Sequence, residues 1–216
     1  MDYFIILLCC DIEIRFGQTG LFLRKKAAYA CGKKIFLMTN SNNLNFIIKK
    51  ELIETFQIHN RINTYLLDAI DETHLSDTSA SKGRNVGEQF AHIHNVRLMW
   101  LKVAEPKLLS GIDKIEKENK ISRKILKDSL TKSGNAIEAL LHQSAATGKI
   151  KGFKPHATAF IGYLISHESH HRGQIILSLK QSGHPVDKKI QFGIWEWERD
   201  DFWLATDFHR NKLNRL

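Results

Sequence analysis

The segment HESHHRGQ, residues 167–174, holds the residues with the clearest capacity for chemistry. His167 and His171 are four positions apart, so on an α-helix they lie about 40° apart on one face. Two imidazoles at this spacing can bind one metal ion through neutral nitrogens. Apolar neighbours direct this face toward a core, where unpaired charged imidazoles would be costly. The pair therefore predicts a metal site, with surface or hydrogen-bonded core histidines as the alternative.

A third histidine, His92, lies on an earlier amphipathic stretch and could complete the site. Its helical arc is shared by three apolar residues, Val96, Met99 and Val103. His94 lies roughly 200° away on the same helix, and we expect it to face solvent. Three nitrogen ligands leave at least one coordination position open, as in catalytic or substrate-binding metal sites. We predict that His92, His167 and His171 are the metal ligands.

Several other polar residues could support either the site or the fold. His59 lies on the apolar stripe of the first helix and is a candidate fourth ligand. His170 lies about 60° from the ligand arc, which favours a structural or supporting role. Arg172 and Gln174 could orient ligands or a substrate anion, and interhelical hydrogen bonds are the alternative role for both.

The same segment also satisfies H-E-x-x-H, the pattern of zinc metallopeptidases, in which Glu168 would be the general base. No third ligand follows at the spacing of the extended peptidase motif, and His92 would have no role. Glu168 lies about 100° from His167 on the helix, so we expect it to face a neighbouring helix or solvent. A zinc metallopeptidase is therefore kept as an alternative function.

Four amphipathic helices are predicted to position these residues. Apolar residues recur every three or four positions from residue 48 to 70 and define the first helix. The others are predicted over about 85–105, which stops at Pro106, about 122–146, and from Pro155 to about 182, with Gly183 as the cap. No strand-like alternation lies between them, so we predict an all-α four-helix bundle. An aromatic C-terminal tail is expected to fold back over one end.

Residues 1–37 differ from the rest of the chain and are predicted to be an irregular N-terminal extension. They hold all three cysteines, Cys9, Cys10 and Cys31, and no sustained helical period. Met38 is a candidate natural start, so we place the domain at residues 38–216. An odd number of cysteines is a poor disulfide framework, which indicates a reducing compartment, and we expect a cytoplasmic location. The apolar run 3–10 is too short to span a membrane.

The chain is basic, with a net charge of +9, which would attract nucleic acid or a membrane surface. No basic run is interleaved with aromatic residues, so we interpret the charge as a solvated basic surface. We expect no specific nucleic-acid partner and no membrane partner. Nucleic-acid binding would show an affinity that falls steeply with salt.

Three segments resemble the DinB-like (damage-inducible) family: VGEQFAHIHNVRLMW, HESHHRGQI followed by LSLKQSGHP, and FGIWEWE. The resemblance covers roughly residues 44–198, with His92, His167 and His171 at the positions of the family's metal ligands. It implies a four-helix bundle, commonly a homodimer, with a Zn²⁺- or Ni²⁺-type ion. Some relatives are thiol-dependent transferases or isomerases that act with low-molecular-weight thiols, and others are taken to be hydrolases.

The resemblance therefore implies a metal-dependent enzyme, of thiol-dependent S-transferase or hydrolase type, that acts on a small-molecule substrate. A cation held by three neutral imidazoles keeps its positive charge and can activate a thiol or polarise a bound group. We assign no catalytic residue beyond the metal ligands. A non-enzymatic, metal-stabilised binding module of a stress response is the remaining alternative.

Overall fold

The structure is a computed structural model that describes residues 49–197. The described chain is helical: α1 (49–68), α2 (Val86–Ala104), α3 (Arg123–Ser144), α4 (Ala157–Gln181) and α5 (Lys188–Gly193). Two short 3-10 helices, Glu72–Ser76 and Pro106–Leu109, lie in the connections before and after α2. No strand forms between residues 49 and 197. The predicted all-α fold class is confirmed.

Local capping interactions explain where the long helices begin and end. Asn85 precedes α2, and its side chain accepts a hydrogen bond from Glu88 N while the Glu88 carboxylate accepts one from Asn85 N. This reciprocal pair is a capping box, which satisfies two otherwise free N–H groups. The start of α4 differs from the prediction by two residues, because His156 caps the helix through Nδ1 and Ala157 is the first helical residue.

The core consists of two apolar clusters, one toward each end of the bundle. One joins the C-terminal halves of α1 and α4 to the N-terminal halves of α2 and α3, with Leu66, Phe90, Leu126 and Ile175 among its members. The other joins the opposite halves, with Phe56, Leu101, Ile137 and Phe160 among its members. Therefore α1 and α4 run in one direction, and α2 and α3 run in the other. The segment between α2 and α3 must return along the length of the bundle.

A layer of buried polar residues separates the two apolar clusters. All four long helices contribute to it, through His59, Asn63, His94, Arg97, Ser133, Glu168 and Arg172. Buried polar groups are tolerated when they bind each other, because an unpaired one costs its full desolvation energy. The middle of this bundle is therefore held by specific polar contacts and its two ends by apolar packing.

The end of the described chain covers the core with aliphatic residues. Val186 and Ile190 pack on the cluster at the C-terminal end of α4, whereas Phe192 and Trp195 are 69% and 77% exposed. The expectation that the aromatic tail covers one end is therefore wrong for these two rings.

Several expectations concern residues outside the described range. Residues 1–37 with their cysteines, Met38 and the end of the tail all lie there, and the domain boundary at residue 38 stays a prediction. Between residues 49 and 197, none of the helices combines the length and apolar composition needed to cross a bilayer.

Candidate metal centre

Helices α2 and α4 bring His92, His167 and His171 together at one place. Their ring centroids lie 4.6 Å apart for the two pairs that include His171 and 5.4 Å apart for His92 and His167. One nitrogen from each ring lies within 4.8 Å of the others. The Nε2 atoms of His167 and His171 are 3.1 Å apart, close to the roughly 3.3 Å of two nitrogens bound to one tetrahedral ion. The group therefore has the dimensions of a mononuclear site.

The three imidazoles are neutral at physiological pH. Burial lowers the pKa of His92 to about 4, and the nearby Arg84 guanidinium acts in the same direction. Burial also lowers the pKa of His171 to about 4, with further contributions from His167 and His92. The pKa of His167 is lowered as well, mainly by burial. Neutral rings present lone pairs, the form in which histidine binds metal ions.

Gln89 orients one of the three rings. Its Oε1 atom accepts a hydrogen bond from Nδ1–H of His171 over 2.6 Å, which leaves the Nε2 lone pair of His171 directed toward His167. Metal-binding histidines commonly make such a bond through the second nitrogen. The Nδ1 atom of His167 is buried without a hydrogen-bond partner among the described residues, while the ring of Tyr163 stacks on His167. Three imidazole nitrogens suit several divalent cations, including zinc and nickel.

The group lies at the edge of the bundle. His171 is buried, whereas His92 and His167 are half-buried. A cavity of about 580 Å³ reaches His92. Its charged lining residues are Arg84, Glu88, Lys114, Glu116 and Lys117. A small molecule in this cavity would contact His92, the one member of the histidine group that lines it.

The buried face of α2 is not the one that the sequence predicted. Met99 and Val103, assigned to the core arc with His92, are 50% and 45% exposed. The expectation that His94 faces solvent is wrong, because it is fully buried and its two nitrogens lie 2.9 Å from the carbonyl oxygens of Ser129 and Asp113. A neutral imidazole carries one N–H, so His94 donates a hydrogen bond to one of these carbonyl oxygens, which offsets part of the cost of its burial.

Glu168 faces away from the histidine group and into the polar layer. Arg97 donates to both of its carboxylate oxygens, through Nε at 2.8 Å and Nη2 at 2.6 Å. His59 and Asn63 also donate to Oε2. Burial alone would raise the pKa of Glu168, but Arg97 and His59 hold it well below its usual range. A carboxylate so engaged is not available as the general base of a metallopeptidase.

The other candidate residues also belong to the polar layer or to the surface. The bond between His59 and Glu168 places His59 away from the histidine group, where it does not serve as a fourth ligand. Arg172 donates to Asn63 Oδ1 of α1, as the alternative role proposed for it requires. Gln174 donates to His170 along the exposed side of α4. No hydrogen bond joins either of these two side chains to His92, His167 or His171 in the described part of the chain.

Gln89 was missed by the sequence reasoning, although its position carried a signal. It precedes His92 by three residues, so both lie on the same face of α2. A side-chain amide on the same helix face as one ligand histidine can form a hydrogen bond with a ligand histidine of the neighbouring helix. The structure thus brings the three predicted ligands together and adds a residue that orients one of them, while metal binding itself stays a prediction.

Comparison with known proteins relates the sequence to one family. The family model described as the DinB family matches residues 38–191, more than half of the chain. Among curated proteins, none matches. Among solved structures, the chain is similar to a DinB-like protein from Bacillus subtilis, with 19% identity over 62% of this chain and 93% of that chain, and a TM-score of 0.45.

Proposed function

This chain belongs to the DinB family, and we propose that it is a metal-dependent enzyme of thiol-dependent S-transferase or hydrolase type that acts on a small molecule. The observation that carries the proposal is the convergence of three neutral imidazoles from two helices beside a cavity. A closed structural site would have four protein ligands, whereas three leave a position for a substrate. Zinc and nickel are the proposed metals.

The roles of the residues follow from their contacts. His92, His167 and His171 would hold the cation, and Gln89 keeps the ring of His171 in position. A divalent cation in this place supplies a Lewis acid, which lowers the pKa of a thiol or polarises a bond of the substrate. His92 is half-buried and lines the cavity, so a substrate in the cavity would approach the cation from the side of His92.

The charges of the cavity favour a substrate with an anionic group. Lys114 is paired with Glu116 over 2.7 Å, and the Glu88 carboxylate caps α2. Arg84 and Lys117 form no ion pair with any residue in the described part of the chain, so the cavity keeps positive charge. Positive charge at a cleft raises the local concentration of anions. A low-molecular-weight thiol with carboxylate groups fits this description.

The first test is the metal content of the protein, purified without a histidine tag. His167→Ala and His171→Ala should each lose one equivalent of bound cation while keeping the helical circular dichroism of the parent. His142→Ala is the matched control, because His142 lies on α3 with its side chain 62% exposed. If the triad variants retained the metal content of the control, the site assignment would be wrong.

The second test separates catalysis from mere binding. Small thiols and their conjugates would be screened by thermal shift with the metal-loaded protein, and hits would be assayed for turnover. The proposal expects a stabilising thiol whose S-transfer or hydrolysis depends on His92, His167 and His171. Loss of fold stability in the triad variants, without any turnover in the parent, would favour the metal-stabilised binding module. A homodimer, expected from the resemblance, would be checked by light scattering.

A further inference from the structure

A second group of metal-ligand side chains lies at the end of the bundle where α4 terminates. One ligand atom each from His74, Asp77 and His184 lies within 4.8 Å of the others. The Nδ1 atom of His184 is 2.7 Å from Oδ2 of Asp77. The rings of His74 and His184 are stacked, with centroids 3.8 Å apart and planes inclined by 9°. The three residues therefore form a close cluster, although His184 lies 107 positions after Asp77.

The backbone fixes two of these residues before any ligand is considered. His74 lies in the 3-10 helix Glu72–Ser76, and Asp77 is its C-cap, with Asp77 N donating to His74 O over 3.1 Å. The carbonyl oxygen of Asp77 accepts a hydrogen bond from Val86 N at the start of α2 over 2.9 Å. The backbone N–H and the carbonyl oxygen of Asp77 are thus both hydrogen-bonded, which gives its side chain a defined starting position.

The end of α4 fixes the third residue. His184 N donates to Leu179 O, and Gly183 N donates to Lys180 O, which is the Schellman pattern of a helix terminus. Gly183 has φ +86°, a left-handed conformation that glycine adopts readily. His184 is therefore placed by the geometry of the helix end.

Two hydrogen bonds connect the two segments directly. Ala80 N donates to the side-chain oxygen of Gln181 over 2.7 Å, and Ser182 Oγ donates to Thr78 O over 3.2 Å. A site whose ligands are already held in place loses little conformational entropy when a ligand binds.

We infer that His74, Asp77 and His184 form a second binding site for a divalent transition-metal ion. Two imidazoles and one carboxylate suit Zn²⁺, Ni²⁺ or Co²⁺, whereas Ca²⁺ and Mg²⁺ prefer oxygen ligands throughout. The side chains of His184 and Asp77 are 42% and 13% exposed, so water can complete the coordination.

This site is separate from the histidine triad and its existence does not depend on the proposed function. His171 lies eleven positions before Ser182, the C-cap of α4, a distance of roughly 16 Å at about 1.5 Å per residue. The two groups of side chains are therefore too far apart to bind the same ion. A cation at the second site would join the connection between α1 and α2 to the end of α4, and would stabilise the folded state by an amount that grows with the logarithm of the cation concentration above Kd.

The test uses the untagged full chain with the triad removed by His167→Ala and His171→Ala. After treatment with a chelator, this double variant is titrated with Zn²⁺ or Co²⁺ and followed by calorimetry and thermal shift. It should bind one equivalent and become more heat-stable as the cation concentration rises. Adding His184→Ala should abolish both effects, whereas adding His142→Ala, the exposed control on α3, should leave them unchanged.

Asp77→Asn provides a second variant if His184→Ala weakens the fold. It keeps the size of the side chain but removes the negative charge, so metal affinity should fall at least tenfold while the circular dichroism spectrum stays that of the parent. The inference is overturned if the double variant binds no cation, or if His184→Ala and His142→Ala bind it equally. A parent protein that binds no more cation than the double variant would overturn only the proposed function.

Discussion

The two sides of α4 carry polar residues with opposite properties. Glu168 and Arg172 point into the bundle, where both oxygens of the carboxylate accept hydrogen bonds and the guanidinium binds Asn63 and Ser169. His167 and His171, each one position earlier, point to the edge. There, His167 Nδ1 has no hydrogen-bond partner among the described residues, and two Nε2 atoms face each other at 3.1 Å.

The difference between the two sides separates residues that hold the fold from residues that could hold a metal ion. A buried network in which every group is paired stabilises one arrangement of helices, and removing one member leaves the others exposed to a large desolvation cost. The three neutral imidazoles instead offer nitrogen lone pairs that a cation could use. The following changes test that division.

The largest effect is expected for Glu168→Gln. The substitution leaves Arg97 buried without a counter-ion, and breaking a buried pair in this way costs about 3–5 kcal/mol of unfolding free energy. Urea denaturation would measure it. The control is Glu116→Gln, which removes an exposed ion pair with Lys114 and should cost less than about 1 kcal/mol. Equal losses for the two variants would show that the network does not hold the fold.

A smaller loss of unfolding free energy is expected for Gly134→Ala on α3. A Cβ atom at Gly134 would overlap the side chain of Asn60, whose Oδ1 accepts a hydrogen bond from Arg97. Overpacking of this kind costs about 1–3 kcal/mol. Gly162 on α4 is the matched control, because a Cβ atom there meets nothing, and Gly162→Ala should stabilise the helix by about 0.5–1 kcal/mol. Denaturation midpoints that move in the same direction would contradict the prediction.

On the histidine side, Gln89→Leu should affect metal binding more than folding. It removes the acceptor for Nδ1–H of His171, and losing such a supporting bond lowers metal affinity by roughly 10–100-fold. Competition with a chromophoric chelator would measure the change. Gln89→Glu keeps an acceptor at the same place and should retain most of the affinity. A large loss in both variants would mean that Gln89 acts through packing.

The smallest effect concerns the pH dependence of the metal-free protein. The pKa of His92 and of His171 is lowered to about 4 by burial, whereas in the unfolded chain it is about 6.5. Between these values the unfolded chain binds more protons, so stability should fall as pH decreases from about 6.5 to 4. The slope should stay below about 1.4 kcal/mol per pH unit per histidine, since His92 is only half-buried.

Urea midpoints at pH 7 and pH 5 would measure this dependence in the parent and in His92→Gln/His171→Gln. The double variant should show a weaker dependence, although His59 and His94, whose pKa values are also lowered by burial, still contribute in the same direction. Glu168 should add little in this range, because its lowered pKa affects stability only below the carboxyl value of about 4.5 in the unfolded chain. Identical curves for both proteins would contradict the assignment.

The four helices were predictable because their ends carry local signals. Asn85 with Glu88, Ser122 and Gly183 mark helix boundaries within a few residues of where the structure has them. Helical spacing likewise indicated that His167 and His171 share a face. These features depend on neighbours within one or two turns, which a single sequence shows directly.

The polar layer was not predictable in the same way. Helical periodicity assigns polar residues to the solvent-facing side of a helix. His94 was therefore expected to be exposed, and no local pattern in the sequence indicated that Arg97 is buried. Their partners, Ser129 and Glu168, lie 35 and 71 positions away. His59 on an apolar stripe, with Asn63 one turn later, was the available sign that polar groups meet inside the bundle. The cluster around His184 depends on contacts of still longer range.

The ion pair between Arg97 and Glu168 also limits how far His167 and His171 can move relative to His92. A shift of α4 by one residue would rotate its side chains by about 100°. This rotation would break the ion pair between Glu168 and Arg97, and it would move His167 and His171 away from His92. The positions of His167 and His171 are therefore fixed by the position of α4 in the bundle. His92 lies half-buried on α2, so in the proposed metal site its position is the one that mutation can change without moving α4.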